Sequence, residues 1–320
     1  MRTGKRYQEA MAAQGVRRKK TPLLTRMYKY RYIYLLALPG LLYMIFFKLY
    51  PIWGLSLAFF DYNPVAGLFG SKWVGLRFFK EVFTSRAFWP MTRNNFVISI
   101  LSIVFAFPLP IILAIMISEV RNNALKRSVQ SIVYLPHFMS WVVIVSITFF
   151  LLSTDFGLIN KLIRRAGGDP IYFLSEDRYF WLIIVCQVIW RETGWGTILF
   201  LSAITAIDPQ LYEAAAIDGA SRMKQIFNIT LPAITPVIVT LFLLKLGQIA
   251  DIPLDQILLM QNSLNIDVSQ VYDSYAYTYG IKSGYTSVGV VIGLFKSSMS
   301  LILVVVSNKI LKSLGQDGIF

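Results

Sequence analysis

Six apolar runs divide the chain, at about 32–50, 95–117, 129–152, 180–204, 233–250 and 286–310, and polar residues gather in the blocks between them. Each run is close to the ~20 residues with which an α-helix crosses a hydrocarbon core of roughly 30 Å. The alternation of apolar and polar positions that a membrane barrel requires is missing. The pattern predicts an all-α integral membrane protein with six transmembrane helices. The first run ends at Pro51. Pro108 and Pro110 lie inside the second and Pro136 near the start of the third, where kinks are expected.

One polar block is organised differently. Residues 205–232 contain "PQLYEAAAI" and "RMKQIFNIT", two short helix-forming segments around Gly219. Asp208 suits an N-cap, and Pro209 the first helical position. Gly219 stands where a helix ends through positive φ, Ser221 can cap the second helix, and Pro232 is expected to close it. Leu211, Ala214, Ala215 and Ile217 can share one apolar side of the first helix. Met223, Ile226 and Phe227 can do so in the second. Ala214, Ala215, Ala216, Gly219 and Ala220 leave room for another surface to come close, with Glu213 at its edge. The hairpin suits a socket or plug for another protein. A DNA-reading helix–turn–helix would need bases aimed at phosphate. Only Arg222 and Lys224 are available, against Asp208, Glu213 and Asp218.

Composition agrees with a membrane protein: 56% of the 320 residues are hydrophobic, and the mean hydropathy is +0.57. Charge gives it a direction. Residues 1–31 hold ten bases and one acid, Glu9, and read as a basic cytoplasmic segment before a membrane domain over 32–320. A cleaved signal peptide is disfavoured by the length of this region. Six spans then leave both termini in the cytoplasm and put 118–128 and 205–232 on the inner side. Outside lie 51–94, 153–179 and 251–285. Within the first of these, "SKWVGLRFFKEVFTSRAFWPMTRNNF" predicts a short amphipathic helix anchored at the outer interface by Trp73 and Trp89. The one cysteine, Cys186, reads as a buried small hydrophobe. His137 reads as structural or pathway-lining. No catalytic motif, metal-ligand spacing or cofactor motif is present. "GVVIGLFKS" (289–297) lacks the glycine before Lys296 that a phosphate loop needs, so Gly289 and Gly293 are expected to allow close helix packing instead.

"EAAAIDGASRMKQIFNITLP" resembles the EAA loop of permease subunits in ABC-type importers. Glu213, Ala214, Ala215, Gly219, Ile229, Leu231 and Pro232 fill its pattern. Asp218, Ala220 and Phe227 match the form common in carbohydrate permeases. "YLPHFMSW", "WRETGWGT", "GLFKSSMSLIL" and the closing "GIF" extend the likeness to the maltose and multiple-sugar type, nearest to polysaccharide and complex-oligosaccharide permeases. The resemblance implies a type I importer fold. It implies a coupling helix (Glu213, Ala214, Ala215, Asp218, Gly219) seated on a cytoplasmic ATPase dimer, with Glu213 meeting one of its bases. It also implies a second, homologous permease and an extracellular sugar-binding protein. ATP hydrolysis then belongs to a separate chain. The alternative is a scaffold or sensor that recruits a cytoplasmic protein through the same loop without transport. A proton-coupled carrier needs no such loop.

Ionisable groups within spans are costly and usually face a cavity or a partner. Trp190, Arg191, Glu192, Trp195, Lys245 and Lys296 are therefore the expected sugar pathway, by ring stacking and hydrogen bonding to hydroxyls. Mutual pairing of the charges is the competing explanation. Asp251 and Asp255 are assigned to the outer cap. Three cations against Glu192 alone leave an acidic sugar open, with neutral oligosaccharides preferred.

Overall fold

The computed structural model describes residues 28–313. The basic block up to residue 27 and the closing "GIF" lie outside the described residues. The chain divides into two units, Met1–Ser56 and Leu57–Phe320.

The first unit contains α1 (Arg31–Met44), with Pro39 inside it, followed by a π turn, Ile45–Leu49. Pro51 does not end the span. The backbone tightens into a 3-10 stretch, Tyr50–Phe59, in which proline's fixed φ is tolerated.

The second unit begins with a cap. A two-residue hairpin pairs β1 (Phe60–Asp61) with β2 (Lys72–Trp73), and α2 (Arg77–Thr84) buries Phe78 and Val82. The expected short amphipathic helix is thus Arg77–Thr84, and neither tryptophan lies in it. Trp73 belongs to the strand, stacked on Phe59 at 5.6 Å, and Trp89 lies in the next helix. Ser287 ties the cap to the last span, donating to Phe60 O at 2.6 Å and accepting from Tyr62 N at 3.3 Å.

The second span is α3 (Phe88–Leu101), a π turn (Ser102–Ala106) and α4 (Pro108–Ser118). The widened turn comes just before Pro108, which has no N–H to give. The third predicted span is not one rod. α5 (Asn123–Tyr134) and a 3-10 turn (Leu135–Phe138) meet α6 (Trp141–Leu152) at 102°. Pro136 sits in the turn, and Ser140 starts α6 as its N-cap, accepting from Val143 N. α7 (Leu158–Arg165) follows, then α8 (Asp177–Thr205), 29 residues without a break.

After the 205–221 hairpin the helix is continuous from Arg222 to Gly247: α10 (Arg222–Gln225), a π turn (Ile226–Thr230) and α11 (Leu231–Gly247). Pro232 therefore does not close the second short helix. It lies inside the continuous helix, where the π turn just before it accommodates a residue that has no N–H to give. The outer segment folds into α12 (Leu254–Met260), α13 (Ile266–Ser269) and α14 (Tyr272–Tyr275). The last span is α15 (Thr286–Ser313).

Among the described residues, four helices are long and apolar enough to cross a membrane, or five if the α5–α6 pair counts as one span. α8 has the length, but Gln187, Arg191 and Glu192 interrupt its apolar run. Buried apolar residues form three small clusters rather than one core. One joins the cap to α15 through Phe78, Phe88, Tyr272 and Ile292. Another packs α12 against α6 and α8 around Ile184 and Ile257. The third packs α4, α8 and α11 around Ala114, Phe200 and Ile234. Much aliphatic surface stays outside, such as Leu301, Ile302, Val305 and Val306 on α15. A bilayer makes that arrangement stable where water would not.

Glycines mark the closest approaches. A Cβ on Gly194 would lie 2.0 Å from Val133 O, and one on Gly196 3.0 Å from Pro110. The glycines of "WRETGWGT" thus let α8 meet α5 and α4. A Cβ on Gly289 would lie 3.1 Å from the Gly280 Cα, as close packing requires, but Gly293 has nothing within 4 Å. Gly194→Ala is expected to lower the Tm of the purified chain, because overpacking of this kind costs about 1–3 kcal/mol. Gly293→Ala is expected to leave it unchanged or raise it, since alanine is the better helix former by about 1 kcal/mol. Thermal unfolding of both variants in the same detergent checks the pair.

Candidate functional site

The 205–221 hairpin follows local rules closely. α9 (Pro209–Ile217) starts with the Asp208 carboxylate accepting from Gln210 N at 3.0 Å. It ends in a Schellman closure: Ala220 N donates to Ala215 O at 2.8 Å, and Gly219 N to Ala216 O at 3.1 Å. Gly219 has φ +74°, a conformation open to glycine at little cost. Ser221 caps α10 through Lys224 N. Tyr212 OH and Thr230 Oγ1, 2.9 Å apart, tie the first arm to the base of the second. Arg222 reaches Glu119, at the end of α4, at 3.5 Å. This pair is exposed and worth at most about 1 kcal/mol.

The faces of the hairpin differ from the expected grouping. Leu211, Ala214 and Ile217 point outward, whereas Ala215 and Tyr212 are half-buried. Ile217 is 88% exposed. On the second arm Met223 and Phe227, one turn apart, are exposed, and Ile226 is half-buried. Glu213, Asp218 and Gly219 are exposed beside them. No residue of α9 is buried. The result is a capped hairpin with an uncovered apolar side and a carboxylate beside it.

The second feature is a cavity of about 580 Å³ lined by α3, α4, α6, α8, α11 and the start of the outer segment. Of the six predicted pathway residues, Glu192, Trp195 and Lys245 line it. Arg191 stands behind Glu192. It pairs with that carboxylate, lies over the Trp141 ring at 4.8 Å and donates to Met139 O. His137 stacks on Trp195, 4.4 Å between centroids and 6° from parallel. Its Nδ1 is 3.2 Å from Glu192 Oε2, without hydrogen-bond alignment. Trp190 does not line the cavity. With Leu182 and Cys186, eight and four residues before it, it forms an outward stripe on α8, so Cys186 is exposed rather than buried.

Lys296 is also absent from the lining. Its Nζ is held by Asp251 at 2.6 Å and by both oxygens of Asp273 at 2.8 Å. Asp251 lines the cavity instead of sitting in the cap, while Asp255 is exposed away from it. The expected surplus of cations disappears. Arg191, Lys245 and Lys296 face Glu192, Asp251 and Asp273, three against three. Among the described residues Lys245 alone of these cations is in no ion pair. Asp273 carried no sequence signal, because it meets Lys296 only through the fold; His137, read as structural or pathway-lining, is outside the lining and stacks on Trp195, which is in it.

α12 turns inward from the outer side. Gln256 is fully buried, donates to Ile184 O and Gln187 Oε1 on α8, and closes one wall of the cavity. Asn95 and Ser99 of α3 donate to Ala250 O and Ile249 O and pin the adjoining backbone.

Residues 106–314 match the family of the binding-protein-dependent transport system inner membrane component. The chain is 45% identical over 302 residues, 94% of both chains, to the polygalacturonan/rhamnogalacturonan transport system permease protein YteP of Bacillus subtilis. It is 45% identical to protein LplB of the same organism over 290 residues, 91% of each chain. Its structure matches a chain of a bacterial alginate ABC transporter, solved in complex with an alginate pentasaccharide-bound periplasmic protein. The TM-score is 0.85 at 32% identity, covering 93% of this chain and 99% of that one.

Proposed function

The chain belongs to the binding-protein-dependent transport family of inner membrane components, and from that premise we propose how this subunit works. It is a membrane subunit of a sugar ABC importer, not an enzyme. In the proposed mechanism a binding protein delivers an oligosaccharide to the outer side, and the sugar passes through the 580 Å³ cavity. The 205–221 hairpin docks on a cytoplasmic ATPase, with Glu213, Ala214, Ala215, Asp218 and Gly219 at the contact. Six spans place both termini in the cytoplasm. ATP-driven closure of the ATPase pushes the hairpin and reshapes the cavity through α10 and α11.

The observation that carries this reading is the exposed hairpin joined without a break to the helix that presents Lys245 to the cavity. In the cavity, the Trp195–His137 stack offers an aromatic face for sugar rings, and Glu192 offers hydroxyl contacts. Lys245, free of a carboxylate partner among the described residues, favours an acidic oligosaccharide. The names of the relatives, polygalacturonan/rhamnogalacturonan and the acidic polysaccharide alginate, point the same way.

The test is ATP hydrolysis by the reconstituted complex. Binding protein loaded with oligouronate is expected to stimulate it several-fold, and empty binding protein to do so far less. Stimulation indifferent to sugar returns the scaffold reading. One hairpin serves one ATPase cleft, so a homologous second permease is required. The chain with ATPase and binding protein alone is expected not to transport. Full-rate transport by that mixture refutes the requirement.

A further inference from the structure

α7 is inside out for a helix in water. Asn160 and Ile163 face the protein, and Leu158, Ile159 and Leu162 face away from it. Asn160 is 1% exposed, while Leu158 and Leu162 are 50% and 54% exposed. The asparagine fixes the helix in place. Its Nδ2 donates to Leu152 O, Ser153 O and Ile171 O at 3.3, 3.1 and 3.0 Å, and its Oδ1 accepts from Ile171 N at 2.8 Å. Gly157 makes the turn into α7 so tightly that a Cβ there would lie 2.2 Å from Ser153 O. The orientation of the leucines is therefore set by packing and hydrogen bonds, not by a loose loop.

The polar residues have their own pattern. Arg164 turns back and donates to Thr154 O at 2.9 Å. Lys161 and Arg165 stand next to the leucine face and form no ion pair among the described residues. An outward apolar face flanked by bases is the pattern of a helix lying in a membrane interface, its bases at headgroup level. Position selects lipid over other occupants. α7 begins six positions after Leu152, the last residue of α6, and is hydrogen-bonded to that residue's carbonyl. It therefore sits where α6 leaves the hydrocarbon. Phe149, Phe150 and Phe156, all exposed, continue the apolar surface from α6 towards α7.

We propose that α7 is an interfacial anchor: Leu158, Ile159 and Leu162 enter the leaflet at the C-terminal end of α6, and Lys161 and Arg165 engage lipid phosphates. In the orientation proposed above this is the outer leaflet.

Nitroxide labels report the depth directly. In the full-length chain with Cys186→Ser, single cysteines replace Leu158, Leu162 or Lys161, and the labelled protein is placed in phosphatidylglycerol nanodiscs. Collision with a water-soluble nickel chelate is expected to be several-fold weaker at 158 and 162 than at 161, and collision with oxygen stronger. Equal nickel access at all three positions overturns the anchor. Protection that appears only when co-purified subunits are present assigns the face to a protein partner and overturns it too. Lys161→Glu with Arg165→Glu is expected to raise nickel access at 162 at least twofold. No change overturns the phosphate contacts. Near-native thermal unfolding of each labelled chain serves as the folding control.

Discussion

Gly219→Pro and Glu213→Lys are each expected to abolish uptake while the chain still accumulates in the membrane. The two act differently. Proline cannot adopt φ +74°, and it removes the N–H that donates to Ala216 O. The Schellman closure is lost and the second arm is re-aimed. No Cβ clash contributes, because nothing lies within 4 Å of that position. The damage is therefore local to an exposed hairpin, and the buried clusters that hold the spans are untouched. Glu213→Lys leaves the backbone alone and reverses the charge at the proposed ATPase contact, where like charges facing a partner cost several kcal/mol. Uptake of labelled oligosaccharide at equal membrane abundance checks both. Normal uptake by both variants removes the hairpin from the coupling mechanism.

Lys245→Gln is expected to depress uptake of oligouronates about tenfold, the equivalent of ~1.4 kcal/mol in transition-state or ground-state binding, and to spare neutral oligomers. Lys296→Gln is expected to impair both classes. Lys296 holds both Asp251 and Asp273 on its ammonium, and its loss leaves two neighbouring carboxylates without a cation. Breaking a fully buried pair costs about 3–5 kcal/mol. The 57% exposure of the Asp251 side chain keeps the cost below that range, yet enough remains to loosen the outer segment from α15. Competition between neutral and uronate oligomers, at fixed saturation of the binding protein, separates the two variants. Equal effects of Lys245→Gln on both sugar classes exclude that residue from charge selection.

The parts legible in sequence were those governed by neighbours in the chain. The hairpin followed from Asp208, Pro209, Gly219 and Ser221 almost bond for bond, since capping and positive φ act over four or five residues. Spans followed from apolar length, although α8 dilutes its own signal with Gln187, Arg191 and Glu192. Pro232 misled because proline ends a helix or begins one, and sequence alone does not say which. Here the π turn before it let the helix continue. The charge census failed for another reason. Asp273 lies 23 residues before Lys296, on a segment with neither helical period nor apolar length. Only the inward fold of the outer segment brings it, and Asp251, to the lysine. His137 and Trp195 are likewise far apart in sequence, and their stack depends on the 102° break between α5 and α6.

The unbroken helix from Arg222 to Gly247 is 26 residues long, about 39 Å at 1.5 Å per residue. Its lower end is the second arm of the hairpin, and near its upper end Lys245 enters the cavity. A rod of this kind transmits in both directions. If the ATPase favours one position of the hairpin by some factor, and that position suits the sugar, linkage demands that the sugar tighten the ATPase contact by the same factor. Cargo and motor then read each other through a single element. An importer built this way grips its ATPase less tightly when its cavity is empty.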